Sequence, residues 1–399
     1  DSINKRPDAP AFTCLGHTLS FGQLDQLSDA FAAWLVHEQV LQPGERVAIQ
    51  LPNLLQYPVV ALGVLKARGV IVNVNPLYTP VEIRHQLRDS GARFLVVLQN
   101  TAFNVAGVLD DTAVERVVLT EVGDLHAWPK SQAINLMLRY VKKAIRPFQI
   151  NHSTGLCAAL RIGHRLSRDK GKILVQPAAA DLAVLQYTGG TTGVSKGAML
   201  SHRNLVNNLL QLNAVLADDC PGAGAVMIAP LPLYHVYAFT MNFLVAIHRG
   251  HHSILIPNPR DMKAFMKVLR NIRINGFVGI NTLYKLVLEH PDFHKVDFSE
   301  LRISSSGGMA LSRRLSELWK EKTGSTILEG YGLTECSPVI SVNNYRQYRY
   351  GTVGKPVPGT ELCLKAPDGS KVGVGEAGEV CVKGPQVMVG YWQRPEENA

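Results

Sequence analysis

The residues with the clearest chemical potential form one short stretch, YTGGTTGVSKG, at positions 187–197. It holds four glycines, four serine or threonine hydroxyls and one lysine. Glycines let the backbone turn sharply and direct successive N–H groups at one point, while hydroxyls and a lysine add donors and positive charge. The pattern predicts a triphosphate-binding loop rather than a flexible surface loop. The predicted binding residues are Thr188, Gly189, Gly190, Thr191, Thr192, Gly193, Ser195 and Lys196.

This loop differs from the phosphate loop of the P-loop NTPases. That motif, G-x-x-x-x-G-K-[ST], needs a glycine before its lysine and a hydroxyl after it. Here Ser195 precedes Lys196 and Gly197 follows it. A P-loop NTPase is therefore disfavoured.

The spacing of cysteine and histidine argues against the common metal motifs. The six cysteines are scattered without a C-x-x-C pair, which also favours a reducing compartment. The 13 histidines include no H-E-x-x-H sequence, so we expect no histidine metal site.

Most of the positive charge lies in one segment. The formal net charge is +9, yet residues 139–172 carry nine Lys or Arg against one Asp. A near-neutral body with one basic segment does not fit a protein that coats nucleic acid. Segment 134–172 is either a solvated insertion or an amphipathic surface for an anionic membrane. Its apolar helical face consists of Ile134, Met137, Leu138, Val141 and Ile145.

Predicted strands and helices alternate along the chain, and these elements must position the loop. Apolar runs typical of strands buried on both faces alternate with helical patterns, which predicts an α/β fold of mostly parallel sheets with flanking helices. Helices are predicted to begin at Thr79 and Ser201, and Gly91 is predicted to end the first of them. The predicted strands are residues 47–51, 69–74, 94–98, 116–119, 183–187, 226–230, 253–256, 276–280 and 302–305.

The 399 residues, 46% of them hydrophobic, suffice for roughly two to three domains. The predicted division is a first α/β subdomain at 1–178 with a basic insertion at about 121–178, then a second α/β subdomain at 179–350 that carries the phosphate loop. A small β-rich subdomain follows at 351–399, with predicted strands at 353–358, 360–364 and 378–382.

The stretch TGGTTGVSKG is similar to the phosphate-loop signature of the adenylate-forming superfamily, which includes acyl-CoA synthetases, firefly-type luciferases and peptide-synthetase adenylation domains. Within it, the chain most resembles bacterial long-chain fatty acyl-CoA synthetases. The other motifs that carry the resemblance are LKARGVIVNVNPLYTP at 65–80, LPLYHVYAF at 231–239, SSSGGM at 304–309, EGYGLTE at 329–335 and GEVCVKGPQVMVGYW at 378–392.

The resemblance implies a reaction of fatty acid metabolism. A long-chain fatty acid would join the α-phosphate of ATP to form acyl-adenylate and pyrophosphate, and coenzyme A would then accept the acyl group. Because two anions meet, such a site needs fixed donors and a divalent cation. The resemblance makes Glu335 and Thr188 the Mg²⁺ ligands, Thr334 a ligand of the α-phosphate and Tyr331 the aromatic that stacks on adenine. The other nucleotide-binding residues that it implies are Gly307, Gly308, Met309, Glu329, Gly330 and Gly332.

For some of the expected site residues, a purely structural role is the alternative to a functional one. The family places a histidine like His235 against the acyl carboxylate, whereas a histidine in an apolar run is otherwise a hydrogen-bonded core residue. Lys196 either holds the β- and γ-phosphates or caps a mobile loop. Residues 236–245 and 279–284 line an acyl tunnel in the family, but such apolar stretches are also typical of plain core. The expected catalytic set is His235, Thr334, Glu335 and Lys196.

The family pattern continues beyond position 399, so a C-terminal catalytic domain is expected to be absent and this stretch alone to be weakly active. The alternatives are adenylation of an aryl acid, loading of an acyl chain on a carrier protein, and a non-enzymatic nucleotide- or lipid-binding module. The expected location is the cytoplasm, with peripheral binding to the inner membrane through segment 134–172. No nucleic-acid partner is expected, and segment 99–149 could contact a second copy in a homodimer.

Overall fold

The computed structural model describes residues 2–173, 175–188 and 194–398. The strands are β1 (Pro10–Cys14), β2 (His17–Ser20), β3 (Arg46–Gln50), β4 (Val70–Asn73), β5 (Phe94–Leu98), β6 (Arg116–Thr120), β7 (Ser153–Gly155), β8 (Leu182–Thr188), β9 (Lys196–Ser201), β10 (Val226–Ala229), β11 (His252–Leu255), β12 (Gly276–Gly279), β13 (Ile303–Ser306), β14 (Ile327–Gly332), β15 (Val339–Val342), β16 (Lys355–Pro356), β17 (Glu361–Lys365) and β18 (Glu379–Lys383).

Helices of very different length connect these strands. The α-helices are α1 (Ser2–Lys5), α2 (Phe21–Ala33), α3 (Gln56–Lys66), α4 (Pro80–Ser90), α5 (Ala102–Ala106), α6 (Lys130–Leu136), α7 (Leu156–Lys170), α8 (His202–Val215), α9 (Val236–Ala238), α10 (Val245–Arg249), α11 (Met262–Arg270), α12 (Asn281–Leu288), α13 (Arg313–Thr323) and α14 (Pro395–Asn398). Tighter or wider helical turns lie at Trp34–Glu38, Leu109–Asp111, Met137–Val141, Phe239–Leu244, Phe293–Lys295, Thr334–Cys336 and Tyr345–Gln347.

Two large sheets and one hairpin organise the chain. The seven-stranded sheet has the order β7-β6-β5-β3-β4-β8-β9 and is parallel except at β9. The nine-stranded sheet has the order β16-β15-β14-β13-β12-β10-β11-β1-β2, with antiparallel pairing at both ends. Strands β17 and β18 pair antiparallel. The expected α/β fold of mostly parallel sheets with flanking helices is confirmed.

The two sheets share one hydrophobic core. The largest cluster of buried side chains contains Val47 and Ile49 of the first sheet together with Phe12 and Leu255 of the second. Helices α2 and α3 also contribute fully buried side chains to it. Each sheet is therefore held in place by burial of apolar surface against the other.

Local sequence rules account for the helix starts that position the site. Thr79 caps α4 by accepting a hydrogen bond from the Glu82 N–H, and the Glu82 carboxylate accepts one from the Thr79 N–H. Gly91 ends the helix in the left-handed conformation, with φ 58°. Ser201 caps α8 with the same reciprocal pattern to Asn204. These predicted boundaries are confirmed.

Several predicted elements differ from the structure. The sequence pattern does not predict the following strands, which are short or contain glycine and polar residues: β1, β2, β7, β9, β14 and β15. The strand predicted at 353–358 is reduced to β16, which joins the nine-stranded sheet through β15 instead of the small hairpin. The predicted basic insertion includes β7, which pairs with β6, and α7. The sheets also cross the division predicted at 178–179, because β8 and β9 extend the first sheet.

The described part of the chain includes no helix that is long and apolar enough to cross a membrane.

Candidate active site

The end of β8 and the start of β9 flank the predicted phosphate loop. Thr188 is the last residue of β8 and pairs with Lys196, the first residue of β9. Gly189, Gly190, Thr191, Thr192 and Gly193 lie outside the described residues. Ser195, which follows them, accepts a hydrogen bond at its backbone carbonyl from His85 Nε2 of α4, 2.9 Å away. Helix α4 therefore holds the end of the loop.

Lys196 does not extend freely into solvent. Its ammonium forms an ion pair with the Glu397 carboxylate and lies 5.5 Å from the centre of the Tyr391 ring. An ammonium over an aromatic face is attracted by the electrons of the ring. The structure thus places the predicted phosphate-binding lysine against two side chains that the sequence analysis did not select.

Glycines shape a second side of the site, directly after β13. Gly308 has φ +80°, a conformation that side-chain-bearing residues rarely adopt. A methyl group on Gly307 would lie 3.5 Å from the Tyr237 ring. Met309 follows with 61% of its surface exposed. The predicted pocket lining is therefore a turn that is buried at Gly307 and open to a ligand at Gly308 and Met309.

Glu329, a predicted nucleotide-binding residue, has a carboxylate that contacts the backbone of the protein. Its carboxylate is buried and accepts a hydrogen bond from the Leu311 backbone N–H, 2.9 Å away. Its backbone carbonyl accepts one from the Asn343 N–H. In the structure Glu329 fixes the turn that carries Gly307 and Met309, a supporting role that a nucleotide contact by its carboxylate would have to disrupt.

The predicted metal ligand Glu335 lies in the helical turn Thr334–Cys336, which follows β14 and its residues Gly330, Tyr331 and Gly332. Glu335 Oε1 accepts a hydrogen bond from the Tyr391 hydroxyl at 2.7 Å. The Glu335 backbone carbonyl accepts another from the Met388 N–H at 2.7 Å. Tyr391 therefore contacts both predicted site residues, Lys196 at its ring and Glu335 at its hydroxyl.

His235 lies at the start of a helical stretch beside β13. Its Nδ1 accepts a hydrogen bond from the Tyr237 backbone N–H at 3.3 Å, and the ring has an exposed side. In the neutral ring the proton is then on Nε2, which can donate to a ligand. The Tyr237 hydroxyl lies 3.3 Å from Ser305 Oγ of β13. Tyr237, two residues after His235, therefore lies next to the turn of Gly307 and Gly308.

The surrounding protein favours the uncharged form of these ring groups. The protein around His235 disfavours the imidazolium and lowers its pKa below the usual value of 6.5. Burial raises the pKa of Tyr234 and of Tyr237 to about 12. At neutral pH this side of the site presents hydrogen-bond donors without a formal charge.

A buried polar network supports His235, and the sequence analysis did not find it. The Tyr57 hydroxyl donates a hydrogen bond to Asn73 Oδ1 at 2.7 Å, and the same hydroxyl lies 2.9 Å from the Leu233 carbonyl oxygen. Asn73 Nδ2 donates to Gln186 Oε1, and Gln186 Nε2 donates to the Tyr234 carbonyl. A polar residue within an apolar strand, such as Asn73 or Gln186, is the signal that predicts such a network.

The donor set at Glu335 suits a hard cation. It offers a carboxylate, with the hydroxyl of Thr188 at the end of a nearby strand. Mg²⁺ prefers oxygen ligands and is often held by one or two carboxylates together with substrate phosphates. Within residues 2–173, 175–188 and 194–398, no three side chains from His, Cys, Asp and Glu gather into a metal-binding group. One carboxylate and one hydroxyl fit a hard cation that a bound nucleotide would help to hold.

Comparisons with known proteins define the class of protein to which this chain belongs. The family model of AMP-binding enzymes matches residues 1–392, and the chain belongs to this family. It is 44% identical to a long-chain-fatty-acid–CoA ligase of Escherichia coli O6:H1, over 99% of this chain and 70% of that protein. It is 33% identical to a ligase of the same name from Bacillus subtilis, over 100% of this chain and 70% of that protein.

Solved structures show the same fold. An anthranilate–CoA ligase in complex with anthranoyl-AMP superimposes with a TM-score of 0.85 at 22% identity, covering 100% of this chain and 71% of the other. A long-chain-fatty-acid–CoA ligase from Archaeoglobus fulgidus gives a TM-score of 0.80 at 22% identity, covering 100% and 75%.

Proposed function

We propose that this protein is a long-chain fatty acid–CoA ligase that activates a fatty acid with ATP and passes the acyl group to coenzyme A. The observation that carries the proposal is the 44% identity to curated ligases of this name over 99% of the chain. Together with the AMP-binding family match, it favours AMP-forming chemistry.

The positions of the site residues are compatible with the first half-reaction. A carboxylate oxygen attacks the α-phosphorus, and pyrophosphate leaves, so donors must stabilise negative charge on the phosphoryl oxygens. We assign this role to the Thr334 hydroxyl, the backbone around Gly307 and Gly308, and the Nε2–H of His235. Lys196 would exchange its Glu397 partner for the phosphates. Tyr331 would stack on adenine, at the end of β14.

The proposed cation site consists of Glu335 and Thr188. When bound there, Mg²⁺ would neutralise charge on the phosphates of ATP. The chain's own contribution is to hold two oxygen ligands, one at the end of β8 and one in the helical turn that follows β14. Coenzyme A is the proposed acyl acceptor.

Thioester formation by the full-length protein that carries this sequence tests the proposal. Palmitate, ATP and coenzyme A should give palmitoyl-CoA, AMP and pyrophosphate, and Glu335→Gln should reduce the rate about a hundredfold. A faster reaction with benzoate or 4-coumarate would indicate an aryl acid ligase instead. Absence of thioester with every acid would refute the proposed function.

We also propose that segment 134–172, together with the preceding residue Trp128, binds an anionic membrane surface. Trp128, Tyr140 and Val141 expose 79%, 66% and 77% of their surfaces beside the basic residues Lys142 and Lys143. Exposed apolar side chains rimmed by cations are typical of membrane-surface binding, and each Lys or Arg near anionic lipid contributes about 1 kcal/mol. Binding on the cytoplasmic face would bring the enzyme close to its apolar substrate.

Helix α7 extends the basic part of this surface. Asp124 links the two helices, since its carboxylate accepts from Asn135 of α6 and its carbonyl from the Cys157 thiol of α7. Farther along α7, the side chains at 161, 165 and 168 are exposed arginines that repeat on one helical face.

Vesicle co-sedimentation tests the membrane proposal. We expect binding to vesicles that contain phosphatidylglycerol, with loss in high salt, and weak binding to phosphatidylcholine alone. The double variant Trp128→Ser, Val141→Ser should bind several-fold more weakly, whereas Val40→Ser, Val374→Ser, at two other exposed valines, should bind normally. Binding that ignores both salt and lipid charge would contradict the proposal.

A further inference from the structure

Residues 389–392 lie along β9 as an additional extended segment. The Val389 N–H donates to the Met199 carbonyl at 2.9 Å, and the Met199 N–H donates to the Gly390 carbonyl at 2.9 Å. The Trp392 N–H donates to the Gly197 carbonyl at 2.8 Å. Backbone pairing thus fixes the position of Tyr391 relative to the strand that begins at Lys196.

Side chains around this segment anchor it a second time. Trp392 Nε1 donates to the Asp89 carbonyl at 3.0 Å, and Arg394 forms an ion pair of 2.8 Å with the Asp89 carboxylate. The same carboxylate accepts from the Tyr187 hydroxyl at 2.6 Å. Asp89 belongs to α4, which also holds the end of the phosphate loop through His85. Tyr391 therefore has a rigid base.

From this base the segment contacts Glu335 at two points. The Met388 N–H binds the backbone carbonyl of Glu335, and the Tyr391 hydroxyl binds Oε1 of its carboxylate, each at 2.7 Å. Among the described residues, the other carboxylate oxygen, Oε2, accepts no hydrogen bond. One oxygen is thus occupied while the other remains for a ligand.

We infer that Tyr391 is a positioning residue that orients the Glu335 carboxylate for the divalent cation of the nucleotide. This inference rests on the proposed function, because it takes Glu335 as a cation ligand. A hydrogen bond to one carboxylate oxygen restricts rotation of the group, so less orientational freedom is lost when a cation binds. The Lys196 ammonium over the same ring ties this orientation to the phosphate loop.

The variant Tyr391→Phe removes the hydroxyl and keeps the ring under Lys196. Partners of metal ligands typically contribute tenfold to a hundredfold to metal affinity. We expect binding of Mn²⁺ with a non-hydrolysable ATP analogue, followed by electron paramagnetic resonance of free Mn²⁺, to weaken about tenfold. The Mg²⁺ concentration for half-maximal adenylation should rise similarly, with kcat largely recovered at high Mg²⁺. The matched control is Tyr348→Phe, because the Tyr348 hydroxyl makes no hydrogen bond to any described residue.

A double-mutant cycle separates positioning from general loss of structure. In a Glu335→Gln background, Tyr391→Phe should weaken Mn²⁺ binding no further, because the carboxylate that it orients is gone. Unchanged Mn²⁺ affinity in Tyr391→Phe, or an equal loss in both backgrounds, would overturn the inference. Failure of the wild-type protein to form any acyl-CoA would instead refute the proposed function.

Discussion

At the scale of single residues, Asn53 joins the two sheets at the segment that leads to His235. Its Nδ2 donates to the carbonyls of Ala229 and Leu231, at 2.9 and 2.8 Å, and its Oδ1 accepts from the Leu233 N–H at 2.8 Å. The side chain is 2% exposed. Three backbone groups of one loop therefore depend on a single buried amide.

We predict that Asn53→Ala lowers the free energy of unfolding by about 2 to 4 kcal/mol, since buried groups without partners cost about 1 to 3 kcal/mol each. Urea denaturation measures this loss. The control is Asn207→Ala, whose amide donates to the Arg203 carbonyl on the surface of α8 and which should cost less than about 0.5 kcal/mol. Equal losses in both variants would show that the amide does not hold the loop.

The sequence predicts functional residues that belong to a local motif, but it does not predict the contacts that hold those residues in position. Thr188, Lys196, His235 and Glu335 belong to contiguous motifs, and the structure places Lys196 and Glu335 around Tyr391. Asn53 and Tyr391 act through partners more than 50 positions away. Such contacts depend on the packing of the whole chain, which periodicity does not report.

At the scale of elements, α7 packs on α2 more closely than a side chain allows. A methyl group on Gly163 would lie only 1.8 Å from the Ala30 carbonyl oxygen and 3.1 Å from Cβ of Trp34. The two nearest atoms belong to the Ala30 backbone, so no side-chain rotation can relieve the clash. Helix α7, which lies within the segment predicted as an insertion, packs closely against α2.

We predict that Gly163→Ala lowers the free energy of unfolding by about 1 to 3 kcal/mol, because overpacking outweighs the gain of about 1 kcal/mol in helix propensity. Denaturant unfolding measures the change. Gly107→Ala, where a methyl group would meet no atom within 4 Å, should change stability little. A stabilised Gly163→Ala protein would show that α7 moves away at low cost.

Element prediction worked where one rule dominates. Continuous apolar strands such as β5 and capped helices such as α4 follow directly from composition and capping residues. Strands β9 and β14 contain glycine and polar residues because they border the site, so their sequence resembles a loop. Because these strands border the site, they lack the continuous apolar pattern from which a strand is predicted.

At the scale of the whole molecule, sheet order depends on contacts between distant parts of the sequence. Strand β1 pairs with β11, and β8 pairs with β4, so the N-terminal hairpin and the strand before the phosphate loop each extend a sheet built from another region. Local patterns predict strands but not their partners. For that reason the division at 178–179 could not anticipate the observed sheets.

The histidines give the molecule as a whole a predictable response to acid. Burial is the first cause that lowers the pKa of each of His202, His235, His251 and His252. The unfolded chain, with pKa values near 6.5, then binds more protons than the folded chain as the pH falls through that value. Stability contributed by the neutral rings is present above this pH and is lost below it. The pKa values of Asp292 and Asp297 are lowered by hydrogen bonds, so these acids titrate below this window.

We therefore predict that the free energy of unfolding falls from pH 7.5 to pH 5.5, with each full unit of pKa shift contributing about 1.4 kcal/mol. Urea denaturation across this range measures the slope. His251 is 1% exposed, and its Nε2 lies 2.9 Å from the Pro221 carbonyl. His251→Gln keeps a donor there but cannot be protonated, so its slope should be shallower than that of the wild-type protein. A stability independent of pH in the wild-type chain would show that the buried rings gain a proton as readily as exposed ones.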